Sequence, residues 1–579
     1  MVLGRPRSCL SLLALSGVAA ACAGDQDRPR VRVQTNLVSP TSLLSSAETL
    51  TIRVFEESAA VACDEATGLT DATADSPVLT TAELGTSCDD GAAFCGELSV
   101  AINASTRTFE AVATKSDGSK LAVGCTSAVI DKAEVALDLT LKRYLAPAKC
   151  GNGTIEPTEQ CEAPGTASCS SSCQTTEFEI SAPTAGGAAR AVGDAYEPFF
   201  LWPASQGSAG RFFAFYTDKS SGLLDIGLRV LSEKLAPITS PPELTSSSIF
   251  LPNDSAFPPT ASPKNQSTPA AARLGTTTYV VFQDDATSGV NGVDIHLRSI
   301  DSSFVSAEGA APIGINGSGG AGEVNVQSHP QIAAGANGKL FIAWQNEGAS
   351  GKIYGRTLTP TGNVLGNQQE LSSGTSNTSP TVCSTPSGFL VAWQSGADIK
   401  VRAVGADGTP AGAAQTVNDL PSSTDAHPQI ASLEDGRYAV TWVSGTAGKG
   451  DIYVQRFSDS GNRVANDQSA PVNDVVTAGD QITPAIASMS ALKGSYALTW
   501  LDSSSGNVRA RWLGGSSGYL FNNVDGSSSE FAVTKGSGRS RKTPTVVVGG
   551  AGPTILVGWQ DASASGFGIF GRTFPLPSD

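Results

Sequence analysis

The chain has 579 residues and a formal net charge of −16, with 62 glycines, three histidines and 6% aromatic residues. An acidic chain that lacks a basic run argues against nucleic acid as a partner. The many glycines and short alternating apolar runs predict short strands joined by tight turns, and we find no long amphipathic helix, so the expected fold class is all-β.

The N-terminus has the composition of an export signal. Arg5 and Arg7 precede an uncharged apolar stretch over residues 8–21. This stretch is shorter than the roughly 20 residues that a spanning helix needs. Residues 1–21 are therefore predicted to be a signal peptide, and no later segment is apolar enough to span a bilayer.

The signal ends in Val18-Ala19-Ala20-Ala21-Cys22, which resembles the lipobox of bacterial lipoproteins, with Ala19 where that family usually has Leu. The resemblance implies that Cys22 is diacylated, becomes the mature N-terminus and anchors the protein without a spanning helix. Ala23, in place of an acidic residue, favours the outer membrane. The alternative is ordinary cleavage nearby, with Cys22 incidental.

Eight further cysteines form two groups of four, and in an exported chain each group fits two disulfides with three possible connectivities: Cys63, Cys88, Cys95 and Cys125, then Cys150, Cys161, Cys169 and Cys173. Zinc is the competing interpretation of the second group, but paired C-x₂-C knuckles are missing and the compartment is oxidising. Cys383 stands alone in an apolar run and is predicted to be a buried, unreactive thiol.

Two regions follow a polar tether over residues 22–30. Residues 31–145 alternate with period two over short runs, which predicts an antiparallel β-sandwich. The region resembles the immunoglobulin-like or prealbumin-like stalk modules of bacterial surface lipoproteins. Residues 149–176 contain Cys150-Gly151-Asn152-Gly153 and Glu159-Gln160-Cys161. These motifs resemble the Cys-rich repeat of many myxobacterial surface proteins, which implies a small disulfide-held spacer.

Seven repeats fill residues 177–579. Each unit has a Pro before an apolar strand, a turn, a second strand that ends in an aromatic residue, and a third strand with an Arg. Units of roughly 50 residues with four short strands are typical of β-propeller blades, whereas the competing β-solenoid has shorter coils. The seventh unit lacks its fourth strand, and Glu177–Ile180 resembles the fourth strand of the sixth unit. The sequence thus predicts a seven-bladed propeller closed by an N-terminal strand.

Recurrence in every unit indicates structural roles. The repeated aromatic residues are predicted to pack in the core, and the repeated arginines to make hydrogen bonds or ion pairs between blades: Trp344, Trp393, Trp442, Trp500, Trp559, Phe215 and Phe282, then Arg229, Arg298, Arg356, Arg402, Arg456, Arg511 and Arg572. Trp202 and Trp512 break the repeat and are candidates for stacking on carbohydrate.

Ligand-binding candidates lie in the strand 2–3 and blade-to-blade loops, which propeller topology places on one face: Asp218, Asp284, Asp285, Glu347, Asp502, Asp561, His329 and His427. Such a ring could bind a cation, a cationic ligand or a sugar, and Ca²⁺ is the one cofactor considered. His329 and His427 occupy equivalent repeat positions, which argues against catalysis. We find no catalytic or metal-binding motif.

Three functional hypotheses remain open. The first is a non-enzymatic surface module that binds a glycan or a protein. The second is a glycoside hydrolase or lyase that uses channel carboxylates, which would meet in space rather than in sequence. The third is an envelope scaffold without a small ligand.

Overall fold

The computed structural model describes residues 30–38, 47–55, 61–64, 69–72, 76–84, 98–101, 105–116, 118, 120–130, 134–144, 177–181, 195–202, 211–219, 224–232, 249–250, 265–285, 292–300, 313–316, 325–348, 351–359, 361, 363–418, 424–433, 435–446, 448–458, 462–464, 470–514, 529–534, 540–549, 554–563 and 566–577. The chain divides into two compact units, Met1–Pro147 and Ala148–Asp579. Within these ranges all regular structure is β, as predicted. They contain no helix that could cross a bilayer.

The described part of the first unit contains ten strands: β1 Arg30–Val38, β2 Thr49–Phe55, β3 Cys63–Asp64, β4 Leu69–Thr70, β5 Val78–Leu84, β6 Leu98–Ala101, β7 Thr106–Thr114, β8 Lys120–Val129, β9 Glu134–Thr140 and β10 Lys142–Arg143. They form sheets in the orders β6-β1-β9, β10-β8-β7-β2-β5 and β3-β4. In the five-stranded sheet Ile52 lies opposite Ala111, and both are buried. The period-two alternation of this region therefore buries one face of the sheet.

One pairing in this unit differs from the predicted antiparallel arrangement. Strand β1 pairs with β9 in parallel, from Arg32 opposite Glu134 to Val38 opposite Thr140. A parallel pair needs a long crossover connection, and here seven strands lie between the two partners in the chain. Local alternation cannot reveal the direction of a partner so distant in sequence.

A disulfide joins Cys63 of β3 to Cys125 of β8, at a sequence separation of 62. The predicted disulfide bonding of this group is thus confirmed for one pair. Of the three predicted connectivities, one contains this pair, and that connectivity also joins Cys88 to Cys95. Those two residues, Cys22, and the second group of four cysteines lie outside the described residues.

Removing this disulfide should destabilise the first unit selectively. Closure of a loop of this length stabilises a fold by about 2 to 5 kcal/mol. The double variant Cys63→Ala/Cys125→Ala should therefore unfold its first unit at lower urea concentration, measured by hydrogen exchange of β2 and β7. All seven tryptophans lie between residues 202 and 559, so the tryptophan fluorescence transition is the internal control and should not move.

The second unit contains seven sheets among its described residues. In chain order the strands are β11 Phe178–Glu179, β12 Ala195–Leu201, β13 Arg211–Asp218, β14 Asp225–Ser232, β15 Ile249–Phe250, β16 Gln266–Leu274, β17 Thr277–Asp284, β18 Asp294–Ile300, β19 Ile313–Gly314, β20 Gln327–Ala334, β21 Leu340–Asn346, β22 Lys352–Leu358, β23 Val364–Glu370, β24 Asn377–Thr385, β25 Gly388–Ser395, β26 Asp398–Gly405, β27 Pro410–Thr416, β28 Thr424–Ser432, β29 Tyr438–Gly445, β30 Asp451–Phe457, β31 Gln481–Ser488, β32 Tyr496–Asp502, β33 Asn507–Leu513, β34 Phe531–Ala532, β35 Lys542–Gly549, β36 Thr554–Ser563 and β37 Gly566–Pro575.

Six of these sheets have four strands, and the fifth, β28-β29-β30, has three. Within each sheet, strands that follow one another in the chain pair antiparallel. The closure is also antiparallel, but there β11 pairs with β37 from the other end of the unit. The first strands contact one another in the cycle β12, β16, β20, β24, β28, β31, β35 and back to β12. This is the arrangement of a β-propeller, and the predicted repetition of four-stranded antiparallel sheets is confirmed.

The apolar core is divided among the sheet interfaces. Seven buried clusters each combine residues from two adjacent sheets, and together they cover all seven interfaces of the cycle. The repeated tryptophans are each 1% exposed or less, which confirms the prediction of core packing.

The N-terminal segment closes the cycle as predicted. Strand β11 pairs antiparallel with β37, with Phe178 opposite Gly571, so the last sheet has the order β11-β37-β36-β35. Ile180 donates its backbone N–H to the Ile569 carbonyl and packs in the core between the seventh and first sheets. The pairing gives the outer edge of β37 a partner.

The repeated arginine of the third strand bonds to the preceding sheet. Arg356, Arg402, Arg511 and Arg572 each donate from Nη1 to the carbonyl of an apolar residue near the end of the preceding repeat: Ile315, Leu371, Val472 and Val533, respectively. Arg229 donates to the Ser181 carbonyl in the closing segment. The predicted between-blade hydrogen bonds are confirmed at these five positions. In the fifth sheet, Arg463 also donates across the interface, from Nη2 to the Val417 carbonyl.

A polar residue follows each of these apolar residues. Its side chain accepts the backbone N–H that begins the third strand, as Asn418 does from Ile399 at 2.9 Å and Asn473 from Ile452 at 2.8 Å. Ser181 does the same for Ile569 at the closure. The fifth sheet therefore keeps this contact, although its described residues include only three strands.

Loss of one interface arginine should destabilise the whole cycle of sheets in the second unit. Arg356 donates to Ile315 and Gly366, and Arg356→Met removes these charged hydrogen bonds, each worth about 1.5 to 3 kcal/mol. We expect a lower urea midpoint by tryptophan fluorescence. The matched control is Lys352→Gln on the same strand, whose pair with Glu370 is exposed and screened by water, so that its loss should leave the midpoint nearly unchanged. Equal effects of the two substitutions would contradict this assignment.

Candidate functional site

The first strands of all seven sheets surround a cavity of about 490 Å³. Each strand contributes one residue at the same repeat position, immediately before a proline: Glu197, Thr268, His329, Ser379, His427, Thr483 and Thr543. We call these seven residues the cavity ring. The cyclic arrangement thus brings a set of differing polar side chains together in one cavity.

A strained backbone places the cavity-ring side chains. All seven residues have φ between 42° and 53°, and each sits at a register shift in the pairing of the first two strands, as between Ser328 and Gln331. A left-handed conformation costs about 1 to 2 kcal/mol for residues other than glycine. The following proline donates no hydrogen bond, and a bulge is where a sheet tolerates that loss.

Hydrogen bonds from the preceding sheet hold this conformation. The backbone N–H of His329 donates to Gln283 Oε1, and that of Ser379 to Gln345 Oε1, both at 3.1 Å. Thr268 N–H donates to Glu197 Oε2 at 2.9 Å and to Thr217 Oγ1 at 3.1 Å. The second strand of one sheet thereby fixes the ring residue of the next.

Three ionisable side chains line the cavity among the described residues: Glu197, His329 and His427. Glu197 Oε2 also accepts from Thr217 Oγ1 at 3.0 Å. His329 Nδ1 lies 3.1 Å from Ser328 Oγ. Two effects lower the pKa of His427. The larger is partial burial in the cavity wall, and the smaller is repulsion by a charged His329. His427 still has an exposed side-chain surface, which faces the cavity.

The structure brings the two predicted histidines into the cavity but not the six predicted acids. Asp284 is buried, accepts from Gln266 Nε2 and lies 3.0 Å from His296 Nδ1. Asp561 forms a fully buried ion pair with Arg541. Both carboxylates thus stabilise the ends of the sheets.

The other four acids also lie outside the cavity lining. The pKa of Asp502 is lowered overall. Burial by itself would raise this pKa, but the hydrogen bonds that the carboxylate accepts from Ser504 and Ser505 outweigh the effect of burial. Asp285 accepts from the backbone and side-chain nitrogens of Asn265. Asp218 is buried opposite Asp225, and Glu347 is exposed. Their role in ligand binding stays a prediction.

The two tryptophans outside the repeat pack internally. Trp512 is 1% exposed and contacts Phe531 and Phe574, so the prediction of a carbohydrate platform there is wrong. Trp202 is half-buried against Phe212 at 4.8 Å and leaves no room for a Cβ at Gly549. Cys383 is buried, and burial raises its pKa to about 12, as expected of an unreactive thiol.

Sequence reasoning missed most of the cavity ring. Glu197, Ser379 and the three threonines were not among the candidates, although the residue before each repeated proline is readable in the sequence. Within the described ranges no group of three or more His, Cys, Asp or Glu side chains could hold a metal ion.

Comparisons with known proteins give a fold likeness only. No protein-family model and no curated protein matches the chain. Similar structures include a protein of unknown function from Dyadobacter fermentans (TM-score 0.40, 9% identity, 69% of this chain and 99% of that one). They also include Trypanosoma rangeli sialidase (TM-score 0.40, 9% identity, 69% of this chain and 59% of that one). A third is a Penicillium chrysogenum α-L-arabinanase (TM-score 0.36, 12% identity, 69% of this chain and 98% of that one). At these values the likeness carries no argument about activity.

Two ring threonines should respond differently to glycine, which relieves left-handed strain. Thr268 bonds to Gln283 through its hydroxyl, whereas the buried Thr483 hydroxyl has no hydrogen-bond partner. Thr268→Gly should therefore be less stable than Thr483→Gly by about 1 kcal/mol. Urea midpoints by tryptophan fluorescence test this, and equal midpoints would refute the assigned hydrogen bonding.

Proposed function

We propose that this chain is an exported, lipid-anchored surface protein that presents a non-enzymatic binding module for a glycan. The lipobox resemblance supports an anchor at Cys22. The cyclic order of the seven sheets supports a seven-bladed propeller. The sheets of the first unit support an immunoglobulin-like stalk, and the Cys-rich repeat a spacer after it.

The chemistry of the cavity ring carries this proposal. Six of its seven residues carry a hydroxyl or an imidazole. The accessible side chains of His329, Ser379 and His427 can exchange hydrogen bonds with sugar hydroxyls. The cavity volume falls within the roughly 300 to 1,000 Å³ typical of small-ligand sites. A volume of this size suits one or two sugar residues, whereas a protein partner would need a far larger surface.

The arrangement of carboxylates favours binding over hydrolysis. Glycoside hydrolases commonly place two carboxyl groups about 5 to 9.5 Å apart around the scissile bond. Among the described residues that line the cavity, Glu197 carries the one carboxylate, and its Oε2 already accepts two hydrogen bonds.

The test is a binding screen of the full mature chain, kept soluble by Cys22→Ser, against glycans and cell-wall polymers. Each hit is also assayed for release of reducing ends. We expect saturable binding without product. His329→Asn/His427→Asn should weaken binding at least about tenfold, since two hydrogen bonds are lost and Asn tolerates the left-handed backbone.

Lys352→Gln, on an exposed part of the third sheet, is the control and should bind as the parent does. Product release that Glu197→Gln abolishes would show a glycoside hydrolase or lyase instead. Failure to bind any glycan would overturn the proposal and leave the protein-binding or scaffold hypothesis, which a pull-down from envelope extracts would then address.

A further inference from the structure

The two cavity histidines lie on the same side of the ring. His329 belongs to β20 and His427 to β28, and β24, which contacts both strands, places Ser379 between them. Glu197 lies two ring positions from His329 and three from His427, towards the opposite wall. One side of the cavity therefore carries two imidazoles and a hydroxyl with no carboxylate among them.

Each imidazole has a defined environment. The buried Ser328 hydroxyl contacts Nδ1 of His329, so Nε2 is the atom that remains for a ligand. The cavity wall shields part of the His427 side chain from water, which penalises its protonated form, and a charged His329 adds to that penalty. An anion bound between two protonated imidazoles would offset both penalties.

Among the described residues, no other charged group competes at this wall. The strands packed against β20 carry Arg273, Asp284, Asp294, His296 and Arg298, and β28 with its packed strands carries Asp425, Cys383, Asp398, Lys400 and Arg402. None of these lines the cavity. Within the described residues, Glu197 is the one acid that does, and its Oε2 accepts hydrogen bonds from Thr217 and Thr268.

We propose that His329, Ser379 and His427 form a subsite for the carboxylate of an acidic sugar, such as a uronate, and that binding strengthens as these histidines become protonated. The inference rests on the proposed glycan-binding function and adds a ligand class and a pH dependence to it. The acidic overall charge of the chain opposes anions at long range, so selectivity must come from this wall.

The three histidines of the chain permit a direct test. Selective isotope labelling of histidine in the full mature chain gives one NMR signal each for His296, His329 and His427. Each signal is titrated between pH 5 and 8 without ligand, with D-glucuronate and with D-glucose. Glucuronate should raise the pKa of both cavity histidines, while His296, which contacts Asp284 outside the cavity, serves as the internal reference.

The linked measurement is the affinity for glucuronate against pH. Each proton taken up on binding makes the affinity rise about tenfold per pH unit on lowering the pH through the histidine range. Glucuronate binding to the parent should be accompanied by uptake of close to two protons. Binding to His427→Asn, which keeps a residue suited to left-handed φ, should take up one proton at most. Glucose binding should not change with pH.

Four results would overturn the inference. Equal shifts with glucose and glucuronate would show a neutral sugar site. Shifts with stoichiometric Zn²⁺, but none with glucuronate, would show a metal site. Glycan binding in the screen together with silent cavity histidines would leave the proposed function standing and remove this subsite, whereas no binding in either experiment would remove both.

Discussion

The structure of the second unit depends on one constraint, which is that its apolar cores lie between sheets rather than within them. Each sheet buries its faces only if it has a neighbour on both sides, so an open row of seven would leave two apolar faces in water. The junction of the last and first sheets therefore decides the stability of all the others. There, Ile180, Leu556 and Ile569 pack with Phe200 and Phe212, so closely that a Cβ on Gly558 would lie 2.1 Å from the Phe200 ring.

Polar groups are repeated at the same interfaces for a related reason. Burying the strand ends removes carbonyl and N–H groups from water, and each must find a partner. The interface arginines and the Asn, Ser or Thr residues after the fourth strands supply these partners in nearly every repeat. Acidic residues such as Asp284 and Asp561 belong to this system. A carboxylate near a loop in the sequence can thus be a buried structural element.

The cavity ring separates backbone geometry from side-chain chemistry. The same left-handed residue before a proline recurs in all seven sheets, so the architecture requires the turn but not a particular side chain. Glu, Thr, His and Ser occupy equivalent positions, and the wall of the cavity differs from one side to the other. Residues that seem equivalent by repeat position can in this way form an asymmetric binding surface.

The sequence by itself determined the all-β class, the repeat, the closing strand at Phe178, and the structural roles of the tryptophans and of arginines such as Arg356, because periodicity and recurrence are local properties of a chain. Tertiary structure alone decided three other matters: the parallel partner of β1, the burial of Trp512, and which polar residues reach the cavity. These depend on contacts between segments distant in the chain, where a bulge before Pro330 directs His329 inward while the acid at position 284 turns to His296. Packing geometry, which no local pattern encodes, made that choice.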